Sequence, residues 1–247
     1  MKNGLQKELF LESMNLIHEP GWGLLEEGDL LAFKSPVPFP FMNIVYGSVS
    51  LVAYQKVKNF YQNKPFFWLL PKDQKADLLL ERGFKGPDLT FEMELNLAEY
   101  QYPGASTSLE VRKVHSSADH LKWVDVAAGW LNVDPSFVDQ FFSAWIKTGR
   151  YIPYLGFCEG QPAATSLVYC GKLGAALYFL GTLPPFRNRG LGTAVTHACL
   201  KTAKEKNIDL AVLYASKMGK PVYEKIGFQL TQTIREYSYS MESHGKK

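Results

Sequence analysis

The sequence has few cysteines and no pattern that would join them to a metal or to one another. Only three of its 247 residues are cysteines, Cys158, Cys170 and Cys199. Their number is odd, and Cys-x-x-Cys spacing is absent, which argues against a disulfide framework or a zinc site. We therefore expect small buried side chains at these positions and no metal centre.

Long apolar runs and a dominant charge are also lacking. No stretch of about eighteen residues is apolar enough to cross a bilayer, and the first residues lack the apolar core of a secretion signal. The formal charge of +3, from 27 basic and 24 acidic residues, is too weak and scattered to follow a phosphate backbone. We expect a cytoplasmic protein with neither membrane nor nucleic acid as its partner; the oligomeric state stays open.

Length and composition indicate a folded chain with two units. Apolar residues make up 46% of the sequence and charged residues 21%, which is typical of globular proteins. The segment from Glu99 to Thr107 contains Pro103-Gly104 and small polar residues, which favour a linker. We predict one domain over residues 1–100 and a second over residues 107–247.

A short pattern occurs twice. A predicted helix, a Gly-Phe pair and a strand-like run occur at Gly83-Phe84 and again at Gly227-Phe228, 144 residues later (227 minus 83). This spacing favours an internal duplication. Two unrelated helices that end at ordinary C-cap glycines remain the alternative.

The second half contains an alternation of strands and helices. Apolar periodicity predicts an antiparallel meander, an amphipathic helix and a buried strand. The predicted elements are a strand at 109–112, helices at 119–130 and 135–147, strands at 151–158, 163–170 and 175–182, a helix at about 189–206 and a strand at 209–215.

The junction between the third meander strand and the following helix has the composition of a phosphate-binding loop. It reads Arg187-Asn188-Arg189-Gly190-Leu191-Gly192-Thr193. Amides in the first turn of a helix have no intrahelical partner, and glycines let an anion approach them closely. The two arginines add charge that can pair with phosphate.

Several familiar motifs are excluded. Gly192 is followed by Thr193-Ala194-Val195, so neither a Walker loop nor a dinucleotide fingerprint is complete. Gly-x-Ser-x-Gly and His-Glu-x-x-His are absent too, which removes support for a serine hydrolase or a zinc protease. We interpret His197 as an ordinary helix residue.

The run Arg187-x-x-Gly190-x-Gly192, the strands and helices around it and Tyr223-Glu224-Lys225-Ile226-Gly227-Phe228 together resemble the GCN5-related N-acetyltransferases (GNAT). The resemblance covers about residues 107–241. It implies an α/β fold of the α+β type, a mostly antiparallel sheet flanked by helices and duplicated in tandem. It also implies acetyl-CoA as cosubstrate, held in a gap between two splayed strands.

Carried over residue by residue, the resemblance assigns a binding site. Backbone groups along the pantetheine arm would come from Leu180, Gly181 and Thr182, with Ser216 reaching the same arm. The loop residues already named would surround the pyrophosphate. Tyr223 matches a tyrosine that many members keep beside the thioester sulfur, where a phenol can protonate the thiolate. The base stays open between Tyr178, a remote acid acting through water, and solvent.

The first half resembles a second, degenerate domain of the same type. Pro36-Val37-Pro38-Phe39-Pro40-Phe41-Met42-Asn43 is a run often seen in tandem members, but the Arg-x-x-Gly-x-Gly loop is missing and Leu79 stands where the offset places Tyr223. We interpret this half as one that does not bind coenzyme A. It either shapes the acceptor site or completes the core; Phe41 is accordingly a pocket residue or a core residue.

The sequence therefore predicts an N-acyltransferase that moves an acetyl or short acyl group from acyl-CoA to a primary amine of a small molecule or peptide. The alternative is a coenzyme A-binding regulatory or scaffold protein without turnover. The acceptor and the acyl chain length stay open, since a fold does not fix a substrate.

Overall fold

The computed structural model describes residues 4–62, 64–104 and 109–240. Residues 105–107 of the predicted linker and Met241, at the end of the resemblance, lie outside the described residues. The helices are α1 (Leu5–Met14), α2 (Leu51–Tyr61), α3 (Asp77–Glu81), α4 (Ser117–Leu131), α5 (Pro135–Lys147), α6 (Leu191–Glu205) and α7 (Lys220–Ile226). The strands are β1 (Gly23–Glu27), β2 (Leu30–Lys34), β3 (Ile44–Tyr46), β4 (Phe66–Pro71), β5 (Lys85–Asn96), β6 (Glu110–Lys113), β7 (Tyr151–Cys158), β8 (Gln161–Cys170), β9 (Ala175–Thr182), β10 (Leu210–Ser216) and β11 (Gln229–Tyr239).

These strands form one mixed sheet. Its order is β1-β2-β3-β4-β11-β5-β10-β9-β8-β7-β6. The pairs β3–β4 and β9–β10 are parallel, and the others are antiparallel. The expected mixed, mostly antiparallel sheet flanked by helices is confirmed.

The two halves of the chain exchange their last strands. Strand β5 of the first half lies between β10 and β11, and β11 of the second half lies between β4 and β5. Each half also contains a parallel strand pair with a helix between its members, followed by a short helix and the exchanged strand. This repeated order supports the duplication that the Gly-Phe pairs suggested, and the exchange makes the sheet continuous across both halves.

Helices cover both faces of the sheet. We call the face under α1, α4 and α5 the front face; its core includes Leu9, Trp123, Phe142 and Val212. Side chains that alternate with these along each strand lie on the other face, which we call the back face. Helices α6 and α7 cover it in the second half, and α2 and α3 cover it in the first. Helix α1 thus belongs to the first half by sequence but packs against β9 and β10 of the second.

Local signals explain which elements could be predicted. Pro135 begins α5 after Asp134, whose carboxylate accepts a hydrogen bond from the Ser136 amide at 2.8 Å, and the predicted bounds of this helix are confirmed. Helix α1 was not predicted. It begins after Gly4, which has a left-handed conformation and provides no side-chain cap, so its first turn carries no sequence signal.

Candidate active site

A gap opens between β9 and β10 at their C-terminal ends. The two strands pair at Ala175, Ala176 and Leu177, opposite Ala211, Val212 and Leu213, and their pairing ends there. Next along β9, a bulge interrupts the register with β8 between Thr165 and Leu167. Phe179 lies in this bulge with a left-handed φ of 50°. A bulge bends the strand that carries it, which accounts for the end of the pairing between β9 and β10.

Side chains from α4 and β8 hold the bulge. The Thr165 hydroxyl donates to the Phe179 carbonyl at 2.8 Å and accepts from Trp130 Nε1 at 2.9 Å. A Cβ atom added to Gly181 would lie 2.1 Å from Trp130 Cε2. Only glycine therefore lets the indole ring lie against the strand at this point.

The predicted phosphate loop lies at the start of α6, beside the gap. Gly190 precedes the helix with a φ of 81°, and the Ala194 amide donates to the Gly190 carbonyl at 2.9 Å. The amides of Leu191, Gly192 and Thr193 precede this first helical bond and have no intrahelical acceptor. A Cβ atom at Gly192 would have Thr182 Oγ1, 3.8 Å away, as its nearest neighbour, so the protein leaves open space beside this residue.

The two arginines of the loop have different partners. Arg187 Nε donates to the Thr182 carbonyl at 3.2 Å and so stays beside the end of β9. Arg189 is paired with Glu159 of the β7–β8 turn at 3.1 Å and also contacts Cys158 Sγ. The structure therefore leaves the Arg187 charge beside the gap and engages the Arg189 charge elsewhere.

Tyr223 and Ser216 come together at the end of β10. Measured from a Cβ built on Gly219, Tyr223 Cε2 lies at 3.1 Å and Ser216 Oγ at 3.4 Å. Tyr223 is buried in the back-face core beside Leu213, and burial, with a smaller contribution from Cys199, raises the pKa of its phenol. The Ser216 hydroxyl accepts from the Gly219 amide at 3.1 Å, which fixes the turn.

The first half of the chain reaches the front side of the gap. Phe41, in a 3₁₀ turn at Pro40–Met42, contacts the Phe179 ring edge-on with 5.8 Å between centroids. Phe41 keeps 38% of its surface exposed, unlike a core residue.

Burial raises the pKa of Tyr178 well above its usual range, so this phenol keeps its proton near neutral pH. That property makes Tyr178 a poor base.

Sequence reasoning missed several residues of this region. Trp130, Phe179 and Thr165 form the bulge contacts, but a bulge and a left-handed phenylalanine leave no mark in the apolar pattern. Glu92 and Tyr214 also meet here, as a result of the strand exchange. No signal in the sequence places β5 beside β10.

The cysteines and the membrane and metal expectations can also be compared with the structure. The three cysteines are free and buried as expected, and burial raises the pKa of Cys199 to about 12. Within residues 4–62, 64–104 and 109–240, no group of three His, Cys, Asp or Glu side chains could hold a metal ion. In the same ranges, no helix is long and apolar enough to span a bilayer.

Known proteins are similar to parts of this sequence and to its fold. The model of the FR47-like protein family matches residues 154–237. The chain is 28% identical over 121 residues to the uncharacterized N-acetyltransferase YitH of Bacillus subtilis, covering 49% of this chain and 40% of that protein. It is also 28% identical over 103 residues to mycothiol acetyltransferase of Saccharomonospora viridis, covering 40% and 33%. The matches thus span less than half of either relative.

Solved structures share the architecture over nearly the whole chain. A GCN5-related N-acetyltransferase from Kribbella flavida superposes with a TM-score of 0.70 at 14% identity, covering 98% of this chain and 96% of that one. A tandem GNAT protein from the clavulanic acid biosynthesis pathway superposes with a TM-score of 0.62 at 12% identity, covering 96% and 89%. The chain thus has the fold of GCN5-related N-acetyltransferases, including that of a tandem GNAT protein, and its residues 154–237 match the FR47-like family model.

Proposed function

We propose that this protein transfers an acetyl or short acyl group from acyl-CoA to a primary amine, by direct attack of the amine in a ternary complex. The observation that carries the proposal is the gap between β9 and β10, which opens beside the free amides at the start of α6. A strand gap next to a helix N-terminus suits a long thioester with a pyrophosphate at one end.

The residues around the gap fit such a cosubstrate. The amides of Leu191, Gly192 and Thr193, with the charge of Arg187, would hold the pyrophosphate. Backbone groups of Leu180, Gly181, Thr182 and Ser216 would follow the pantetheine arm. Asn188, Arg189 and Gly190 would contribute their backbone amides. The Arg189 side chain would not take part, because it is paired with Glu159.

Tyr223 would supply the proton that the departing thiolate needs. Its ring lies in the back-face core, beside the Gly219 turn that follows β10. A phenol is already protonated near neutral pH, since its ordinary pKa is about 10, and burial raises the pKa of Tyr223 further, so the proton is present before the thiolate leaves.

The acceptor would bind on the front face, where the first half of the chain contributes Phe41. The relative named mycothiol acetyltransferase and the superfamily fold support a small-molecule or peptide amine as acceptor. The first half has no second phosphate loop, which supports one cosubstrate site per chain.

The test combines binding with turnover. Calorimetry with acetyl-CoA is followed by thiol release against a panel of primary amines, for wild type and Tyr223→Phe. Tyr237→Phe is the matched control, because Tyr237 is also buried but lies in the back-face core of the first half. We expect equal binding in all three proteins and turnover that is slower by about 10²-fold or more in Tyr223→Phe alone.

Two other outcomes decide against the proposal. Binding without turnover on any amine would indicate the coenzyme A-binding regulatory protein instead. Absence of binding would remove the loop assignment on which both functions depend.

A further inference from the structure

A carboxylate from the first half of the chain lies beside the gap of the second half. Glu92 of β5 is directly opposite Tyr214 of β10, and both side chains are on the front face. Leu213 is the last residue of β10 that pairs with β9, and Tyr214 is the next residue of the strand. Directly opposed residues have Cβ atoms roughly 4.5–5.5 Å apart. Glu92 is therefore level with the point where the gap opens.

The Glu92 carboxylate is buried and only half satisfied. The side chain has 0% relative exposure. Its Oε1 accepts from the Gln6 amide of α1 at 3.2 Å, whereas Oε2 has no hydrogen-bond partner among the described residues. An unpartnered oxygen on a buried carboxylate is costly unless it binds a proton or a cationic group. The α1 contact explains one oxygen and leaves the other in need of such a partner.

The groups that face Glu92 do not include a cation within the described residues. They are the phenols of Tyr214 and, reaching over from β3, Tyr46, together with the Glu94 carboxylate on the same strand. The nearest basic residue along α1, Lys7, donates to the Asp29 carbonyl. Burial raises the pKa of Glu92 and Glu94 adds to the increase, while the backbone amides of Gln6 and, to a smaller extent, Gly4 oppose it. A carboxylate with a raised pKa among phenols suits proton exchange with an amine near neutral pH.

We propose that Glu92 is the base that takes the proton from the ammonium of the acceptor, so that the exchanged strand of the first half completes the active site of the second. The assignment rests on the proposed acyl transfer. Tyr214, partly exposed between the gap and Glu92, would orient the amine or pass on its proton.

The proton balance of the step is complete. Glu92 Oε2 takes one proton from R–NH₃⁺, and the free amine forms a C–N bond with the thioester carbonyl carbon. The tetrahedral adduct then breaks its C–S bond. Tyr223 donates its proton to the departing thiolate. The second nitrogen proton then leaves through solvent, from which Tyr223 is reprotonated, and the third nitrogen proton stays on the product amide. Glu92 releases its proton to solvent before the next cycle.

Two other carboxylates provide comparisons. Glu94 faces Val212, where β10 is still paired with β9. Glu236 is also on the front face, but it is far from Glu92 along the sheet. The β11 residue paired with Glu92 is Gln232, and Glu236 lies four residues beyond it. At about 3.3 Å per residue this is roughly 13 Å along the strand. Glu236 is therefore a matched control: a partly buried front-face carboxylate away from the gap opening.

The experiment measures kcat and kcat/KM against pH for the best amine. Calorimetry measures acetyl-CoA binding, and the melting temperature measures stability. Glu92→Gln keeps an acceptor oxygen for the Gln6 amide but cannot take a proton. We expect its kcat to fall about 10²-fold or more at neutral pH, with loss of the acidic limb and unchanged acetyl-CoA binding. Glu236→Gln should stay within a few-fold of wild type and keep the limb.

Each other outcome is decisive. A Glu92→Gln protein that binds acetyl-CoA and keeps wild-type kcat and the acidic limb overturns the assignment alone. Absence of turnover in the wild type overturns the acyl transfer and this assignment with it. If Glu92→Gln does not fold, the wild type is titrated by ¹³C NMR of its glutamate carboxyls, with Glu92 assigned from Glu92→Asp. A Glu92 midpoint that matches the acidic limb supports the assignment; a different midpoint overturns it.

Discussion

Thr90 of β5 pairs with Ile234 of β11, and the two positions differ by 144 residues (234 minus 90). The same number separates Gly83 from Gly227. Equivalent residues of the two halves thus meet at the centre of the exchanged strand pair, as they would beside a local twofold axis. Around this axis the sheet of each half depends on a strand from the other.

The strand exchange predicts that the second half does not fold by itself. A chain of residues 105–247 would lack β5, which leaves open edges on β10 and β11. We expect it to aggregate or lack cooperative unfolding in circular dichroism and size-exclusion chromatography. The control is the full chain with a protease site inserted at residue 105, whose two pieces should stay associated after cleavage. A monodisperse, cooperatively folding 105–247 fragment would contradict the prediction.

Two glycines near the gap should respond differently to alanine. In Gly181→Ala the new methyl group would overlap the Trp130 ring, so we expect a loss of about 1–3 kcal/mol in the free energy of unfolding. In Gly192→Ala the methyl group meets no protein atom closer than 3.8 Å, and stability should be unchanged or slightly higher.

Coenzyme binding should separate the same two variants. The Gly192→Ala methyl group would occupy space in front of the α6 amides, which we expect to weaken acetyl-CoA binding roughly ten-fold or more, or about 1.4 kcal/mol. Denaturant titration and calorimetry measure the two quantities. A Gly192→Ala protein that is less stable but binds acetyl-CoA as tightly as wild type would contradict both expectations.

Glu236 should make stability depend on pH. Burial, with a smaller contribution from Asp88, raises its pKa to about 7 from an ordinary value of 4.5. Between these values the folded protein keeps a proton that the unfolded chain has lost, so stability falls as pH rises. Glu236→Gln should reduce this slope and stabilise the protein at pH 8 by about 1–3 kcal/mol. Urea unfolding at pH 5 and pH 8 measures the difference; an equal slope in both proteins would count against it.

Phe41 should affect the acceptor rather than the coenzyme. Its ring contacts Phe179 from the front side and is partly exposed, so Phe41→Ala would widen the site. We expect the acceptor KM to rise about three- to ten-fold, corresponding to about 1 kcal/mol of lost apolar contact, with unchanged acetyl-CoA binding. Lower stability with an unchanged acceptor KM would instead assign Phe41 to the core.

The sequence by itself determined the features that depend on neighbouring residues. The meander of β7, β8 and β9 follows from its apolar pattern and turns, and α5 begins where Asp134 and Pro135 place it. Gly190 and Gly192 likewise mark the start of α6, because this glycine-rich loop is one continuous segment. The 144-residue offset between the two Gly-Phe pairs also favoured the duplication.

Only the tertiary structure decided what lies beside what. Strands β5 and β10 are more than a hundred residues apart in sequence, and their own patterns would fit either edge or centre of a sheet. The exchange depends on the burial of both halves together, and it alone brings Glu92 to Tyr214. In the same way, the left-handed Phe179 is held by Thr165 and Trp130 from other elements. Long-range packing of this kind leaves no local pattern, because each segment is equally compatible with other partners.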